Sequence, residues 1–119
     1  FFSVDTMPNF SQSCNPWSFS LTDGVLSGNC RKMDGSLQVS QLDIGERIGP
    51  KNSGKLSYYS GAPSRGLLEF CSGLKYTKSG AYKGWMCGDC VKKNGSLRKD
   101  TCIRLDNYVD NTNGQLRWG

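Results

Sequence analysis

Short stretches of mixed apolar and polar residues run along this chain, and each gives way to a turn rich in Gly, Asn, Asp and Ser. The segments Val25 to Lys32, Leu37 to Leu42, Trp85 to Lys93 and Leu97 to Leu105 are strand material flanking such turns. Between the members of each pair stands Asp34-Gly35 or Asn94-Gly95. These dipeptides predict two-residue hairpin turns, because both residue types tolerate positive φ. Each pair is followed by a short mixed segment, Leu42 to Ile48 or Ile103 to Val109. Asp43 or Asp106 could open a single helical turn there and return Ile48 or Val109 to the core. Further hairpin turns are expected at Asn52-Ser53-Gly54 and at Asn113-Gly114. The predicted fold class is all-β.

The pattern occurs twice. At an offset of 60, Gly24, Gly28, Cys30 and Lys32 meet Gly84, Gly88, Cys90 and Lys92, and Asp34-Gly35-Ser36-Leu37 meets Asn94-Gly95-Ser96-Leu97. Gly54-Lys55-Leu56 then meets Gly114-Gln115-Leu116. Upstream, Cys14 meets Cys71 at an offset of 57. The repeats run from about 9 to 61 and from about 66 to 119, joined through the turn-rich stretch 60–66. Each half is too small to bury a comfortable core by itself. One fused domain over 1–119 is therefore expected, in preference to two beads on a linker.

Composition narrows the chemistry. The chain of 119 residues has six cysteines and no histidine. Its mean hydropathy is negative, and no apolar run approaches the ~18 residues needed to span a bilayer. Lacking histidine, it cannot build Ser-His-Asp, Cys-His or His-based zinc sites. An even cysteine count in a short, loop-rich chain predicts three disulfides and a secreted location. No basic stretch followed by an apolar run marks a leader. Cys14 with Cys30 and Cys71 with Cys90 occupy equivalent places, so the simplest pairing lies within each repeat and leaves Cys87 with Cys102. A two-residue turn at Asn94-Gly95 places opposite one another residues whose numbers total 189, as 87 and 102 do. In ideal register that is a hydrogen-bonded pair, with its side chains further apart; one extra residue before Ile103 could relieve this through a bulge. Cys87-Gly88-Asp89-Cys90 also reads as a redox motif or half a zinc site, but it lacks a surrounding βαβ pattern and a second C-x-x-C.

The ordered features resemble the cyanovirin-N homology family of lectins. The resemblance rests on Asn9-Phe10-Ser11-Gln12-Ser13-Cys14, Cys30 to Gly35, Leu42-Asp43-Ile44 and Gly54-Lys55-Leu56, then on Cys90, Ile103 to Asp106 and Asn113 to Trp118. It implies a pseudo-twofold ellipsoid in which each lobe holds a three-stranded sheet and a β-hairpin, with segments exchanged between repeats. It also implies a non-catalytic, metal-free lectin without cofactor, which binds mannose-rich glycans in a shallow pocket on each lobe, as a monomer or domain-swapped dimer. The Cys87–Cys102 bridge departs from the founding member.

By the same resemblance, the main pocket maps to Asn9, Gln12, Ser13, Arg31, Met33, Asn111, Thr112 and Asn113. Amides and hydroxyls suit a sugar because they both donate and accept. Arg31 stands in place of an acidic residue and Met33 in place of a hydroxyl. The second pocket maps to Glu69, Phe70, Lys92 and Lys93, facing the turn of Pro50, Lys51, Asn52 and Ser53. Phe70 replaces a small hydroxyl residue and the turn is one residue longer, so this pocket is expected to be weaker or lost.

Other classes are less well supported. The ten acidic residues form no marked carboxylate pair of the kind a glycosidase needs. A basic nucleic-acid-binding or membrane-binding defence protein is the alternative. Arg31-Lys32, Lys92-Lys93 and Arg98-Lys99 lie near hairpin turns, and Tyr76, Tyr82 and Trp85 could stack on bases. The net charge of +5 is modest, no sustained amphipathic helix is visible, and Trp85 and Trp118 are expected in the core.

Overall fold

A computed structural model describes residues 10–119. Ten short strands form two three-stranded antiparallel sheets and two hairpins. The first sheet has β1 (Ser20–Thr22), β2 (Val25–Arg31) and β3 (Leu37–Asp43) in that order. A hairpin of β4 (Ile48–Pro50) and β5 (Leu56–Tyr58) follows, then the one-turn helix α1 (Leu67–Phe70). The second sheet has β6 (Cys71–Tyr76), β7 (Trp85–Val91) and β8 (Leu97–Arg104), and the last hairpin pairs β9 (Val109–Thr112) with β10 (Gln115–Trp118). The molecule measures 49 × 25 × 23 Å along its principal axes.

Burial alternates along β2 and β7 and defines the inner face of each sheet. Leu26, Gly28 and Cys30 of β2 point inward, as do Met86, Gly88 and Cys90 of β7. The equivalent glycines are required by close packing: a Cβ on Gly28 would lie 2.5 Å from the Phe19 ring, and one on Gly88 2.7 Å from Leu74. Ile44 and Leu105 begin single 3₁₀ turns, after which Ile48 and Val109 return fully buried. Asp43 caps the first as expected, but Asp106 does not open the second: it lies inside that turn, which follows Arg104, because its carboxylate is engaged by Ser11. Both repeats feed one cluster, which includes Phe10, Phe19, Leu26, Ile48, Leu67, Met86 and Val109.

Each hairpin leaves its own repeat and docks on the other's sheet. The Leu116 amide of β10 donates to Ser40 Oγ of β3 at 2.9 Å. At the equivalent place the Leu56 amide of β5 donates to Thr101 Oγ1 of β8 at 3.0 Å. One lobe therefore combines β1–β3 with β9–β10, and the other combines β6–β8 with β4–β5. This is the exchange that the resemblance implied.

Two further expectations need correction. The turns at Asp34-Gly35 and Asn94-Gly95 are three-residue loops, closed by Lys32 N–H to Ser36 O (2.8 Å) and Lys92 N–H to Ser96 O (2.7 Å). Only the glycines have positive φ. Asp34 and Asn94 instead accept, through Oδ1, from the amide and hydroxyl of Ser36 and Ser96, which holds them on the right-handed side. Two-residue turns with both φ positive occur at Asp23-Gly24 and Asn113-Gly114. Near its turn the β7–β8 ladder therefore sets Val91 against Leu97 and Cys90 against Arg98. A bulge at Asp100 (φ 54°) then shifts the register by one residue, so that Cys87 faces Cys102. The longer loop and the bulge cancel, and the pair read from a two-residue turn is the pair that forms. The second correction concerns Trp85, which is half buried and outside the core cluster, whereas Trp118, also half buried, packs against it. Trp118 sends its indole N–H to Glu46 at 3.3 Å.

The bridges are Cys14–Cys30, Cys71–Cys90 and Cys87–Cys102, with Cα separations of 4.0, 4.1 and 4.0 Å. These are the separations of the closer, non-hydrogen-bonded kind of cross-strand pair. The first two bridges are buried in the core. The third lies on the outer face of its sheet and is half buried.

Candidate functional site

The equivalent junctions between an exchanged hairpin and the neighbouring sheet differ in their bonding. In the first lobe Asn111 is the centre. Its Nδ2 donates to Ser13 Oγ and to the Arg31 carbonyl, both at 2.9 Å, and its Oδ1 accepts from the Gly114 amide at 2.8 Å. Its amide is thus engaged in joining the N-terminal segment, β2 and the last turn. The Arg31 amide also donates to Ser13 O at 2.9 Å. Asn113 Oδ1 accepts from the Met33 amide at 2.8 Å, which leaves its NH₂ group facing outward on an exposed turn. Gln12, Arg31, Met33 and Thr112 are exposed around this framework, Met33 at 90%. The structure therefore brings together every first-lobe residue named from the sequence except Asn9, which lies outside the described residues.

In the second lobe the corresponding bond runs from the Lys93 amide to the backbone carbonyl of Asn52, at 2.8 Å. Beside it lies a cleft of about 410 Å³, lined by Lys51, Asn52, Ser53, Tyr59, Ser64 and Arg65. Arg65 organises it. Its guanidinium lies over the Phe70 ring, 4.3 Å from the centroid, and donates to the carbonyls of Lys51 (2.7 Å) and Val91 (2.8 Å). A cation on an aromatic face with both ends bonded is a rigid wall. Of the residues named from the sequence, Lys51, Asn52 and Ser53 line this cleft and Phe70 supports it from behind. Glu69, Lys92 and Lys93 lie nearby and are not part of its lining. Arg65, Tyr59 and Ser64 were missed by sequence reasoning. Arg65 and Ser64 sit in the stretch that reads only as a turn-rich joint, and the one available signal was an arginine five residues before an aromatic.

Titratable groups help to define the frame. The Asp34 carboxyl is held below its ordinary range by the Ser36 hydroxyl and amide. Asp106 is buried and accepts from both the amide and the hydroxyl of Ser11, which pins the first turn of the described chain to the second repeat. The Tyr76 hydroxyl, packed beside Phe10 and Phe19, has no partner among the described residues. Burial, and secondarily the Asp106 charge, raise its pKa above the ordinary value. Tyr76 is thus a core aromatic and not a surface stacking platform. Among the described residues, no group of three or more His, Cys, Asp or Glu side chains is placed to hold a metal.

The profile of the CVNH domain matches residues 10–117. Solved structures similar to this chain include a designed cyanovirin-N homologue lectin, at 26% identity and a TM-score of 0.77, covering 93% of this chain and 99% of that one. The CVNH protein of T. borchii is similar at 25% identity and a TM-score of 0.74, with the same coverage of 93% and 99%. A complex of microvirin with mannobiose is similar at 28% identity and a TM-score of 0.72, covering 95% and 100%. No curated protein sequence matches significantly.

Proposed function

This chain belongs to the CVNH domain family, and from that premise we propose that it is a secreted, non-catalytic lectin for mannose-type oligosaccharides. The observation that carries the reading is the first-lobe junction. Asn111 and Asn113 use part of their amides to tie Ser13, Arg31, Met33 and the last turn together, with the side chains of Gln12, Arg31, Met33 and Thr112 exposed. A pyranose with vicinal hydroxyls needs such a set of fixed donors and acceptors on an open surface. The likeness to microvirin, solved with mannobiose, supports mannose as the sugar class. The second-lobe cleft, walled by Arg65, is a second and weaker station of different chemistry. Two shallow sites on one elongated body suit branched glycans, since linked weak contacts gain by effective concentration. No metal or cofactor is part of this mechanism.

The test is an NMR titration with α-linked mannobiose. Amides of Gln12, Ser13, Met33 and Asn113 should shift together and saturably. A Gln12→Ala/Thr112→Ala variant, which removes no hydrogen bond found within the described fold, should weaken binding about tenfold, from loss of two sugar contacts of ~0.5–1.5 kcal/mol each. Shifts confined to residues away from both junctions would overturn the assignment. Failure of every mannoside to bind would overturn the function.

A further inference from the structure

Three departures of the second repeat from the first meet at one place. A two-residue turn at Asp23-Gly24 is replaced by the longer loop between Thr77 and Trp85. A third disulfide joins Cys87 to Cys102 on the outer sheet face, where β2 and β3 carry Ser27 opposite Gln41. A bulge inserts Asp100 in a left-handed conformation. Together they form a cleft of about 580 Å³ lined by Thr77, Tyr82, Trp85, Cys87, Asp100 and Cys102. The first repeat has Val25 where Trp85 stands, and so cannot form this cleft.

We propose that this cleft is a second kind of carbohydrate site, which stacks the flat face of a β-linked pyranose whose ring substituents are all equatorial. Tyr82 and Trp85 meet edge to face, with centroids 5.1 Å apart, and Tyr82 is 55% exposed. They offer apolar ring surface to solvent in a concavity of ligand size. The Cys87–Cys102 bridge is the floor and locks the two strands beneath the rings, so little is lost in ordering the site on binding. The bulge turns Asp100 toward the cleft, with its amide bonded to Asp89 Oδ1 at 2.9 Å; bulges re-aim side chains in this way. An ionised carboxylate only accepts hydrogen bonds, so the ligand must bring donors. A wholly apolar ligand would strip that carboxylate of water without replacing its bonds. A phosphate-bearing ligand would meet its charge. A pyranose with axial C–H groups on its face and hydroxyls around its edge meets both demands. Mannose, with an axial hydroxyl, presents a less even face.

The site is independent of the junctions proposed above, and the experiment separates the two. Cellotriose and α-linked mannobiose are titrated in turn into ¹⁵N-labelled protein, following the Trp85 indole N–H. Cellotriose should move that signal saturably and mannobiose should not. Tyr82→Ala should weaken cellotriose about fivefold, the loss expected for one aromatic contact, and leave the mannobiose response unchanged. Trp85→Leu should abolish the cellotriose response, which is then read from the Thr77 and Cys102 amides. A Trp85 signal indifferent to cellotriose, or one moved equally by mannobiose, would overturn the proposal whether or not mannobiose binds at the junctions. Cellotriose moving Trp85 while mannobiose binds nowhere would uphold this site and overturn the other reading.

Discussion

The two sheets share strand order, inward glycines and a buried cystine, yet their outer surfaces do different things. In the first sheet the outer positions of β2 and β3 carry Val25, Ser27 and Gln41, over a plain ladder from Val25 opposite Asp43 to Arg31 opposite Leu37. In the second, the same pleat positions carry Trp85, Cys87 and Cys102, and the ladder is broken by a bulge. Inner faces are constrained by a shared core, where a change of even one methylene is felt. Outer faces are not, and a duplicated fold can keep its interior while one copy acquires a cleft. The junctions show the same contrast. One is tied through Asn111 and Asn113 side chains, the other through a backbone carbonyl and Arg65.

The disulfides offer the largest effect with which to break this comparison. Their sequence separations of 16, 19 and 15 residues are alike, so loop-closure entropy alone predicts about 3 kcal/mol for each. Replacing both cysteines of a bridge by Ala should cost more at Cys14–Cys30 or Cys71–Cys90, which also leave a core cavity, than at the outer Cys87–Cys102. Urea unfolding reads the order, and equal losses would show that burial does not separate the bridges. Mild reductant followed by alkylation and peptide mass mapping should label Cys87 and Cys102 first.

Asp106 comes next. Asp106→Ala strands the Ser11 amide and hydroxyl inside the protein and should cost about 3 kcal/mol. Asp43→Ala removes only an exposed cap bond to the Gly45 amide and should cost about 1 kcal/mol. A smaller loss at Asp106 than at Asp43 would mean the buried tie between the N-terminal segment and the second repeat contributes little. The exchange contacts should differ in the same direction. Thr101 is buried and Ser40 half buried. Thr101→Val should therefore cost roughly 1–2 kcal/mol and Ser40→Ala under about 1 kcal/mol, since water can reach the stranded amide of Leu116 but not that of Leu56.

The smallest effect separates the two loops. Asp34 and Asn94 make the same bonds to Ser36 and Ser96, but only Asp34 titrates. Its folded pKa lies below the unfolded value. The stabilisation is therefore complete above the unfolded pKa of about 3.9 and is lost as pH falls through the lower folded value. Amide shifts of Gly35 and Ser36 should change in that window, while those of Gly95 and Ser96 should stay still. Asp34→Asn should abolish the difference.

Much of the architecture was legible along the chain because it is encoded locally. Turn residues mark where strands reverse, and the strand material lies between them. Duplication pairs Cys14 with Cys30 and Cys71 with Cys90. Even the Cys87–Cys102 register emerged from a turn of the wrong length, because the bulge at Asp100 restores the residue that the longer loop takes away. The first-lobe residues were legible through resemblance, since they sit at turn and strand-end positions shared across the family.

What tertiary structure alone decided depends on groups far apart in sequence. The partner of Asp106 is 95 residues away, and no local pattern distinguishes a buried carboxylate from the capping one at Asp43. Arg65 became the wall of a cleft because Phe70, Lys51 and Val91 converge on it from three elements. Trp85 reads as a core residue by its size, but its position on β7, opposite in phase to buried Met86, Gly88 and Cys90, points it outward. Only the loop after Thr77, the outer disulfide and the bulge turn that half-buried ring into one side of a cleft. Hydrophobic periodicity states which face a residue occupies; what lies across from that face is set by the packing of the whole chain.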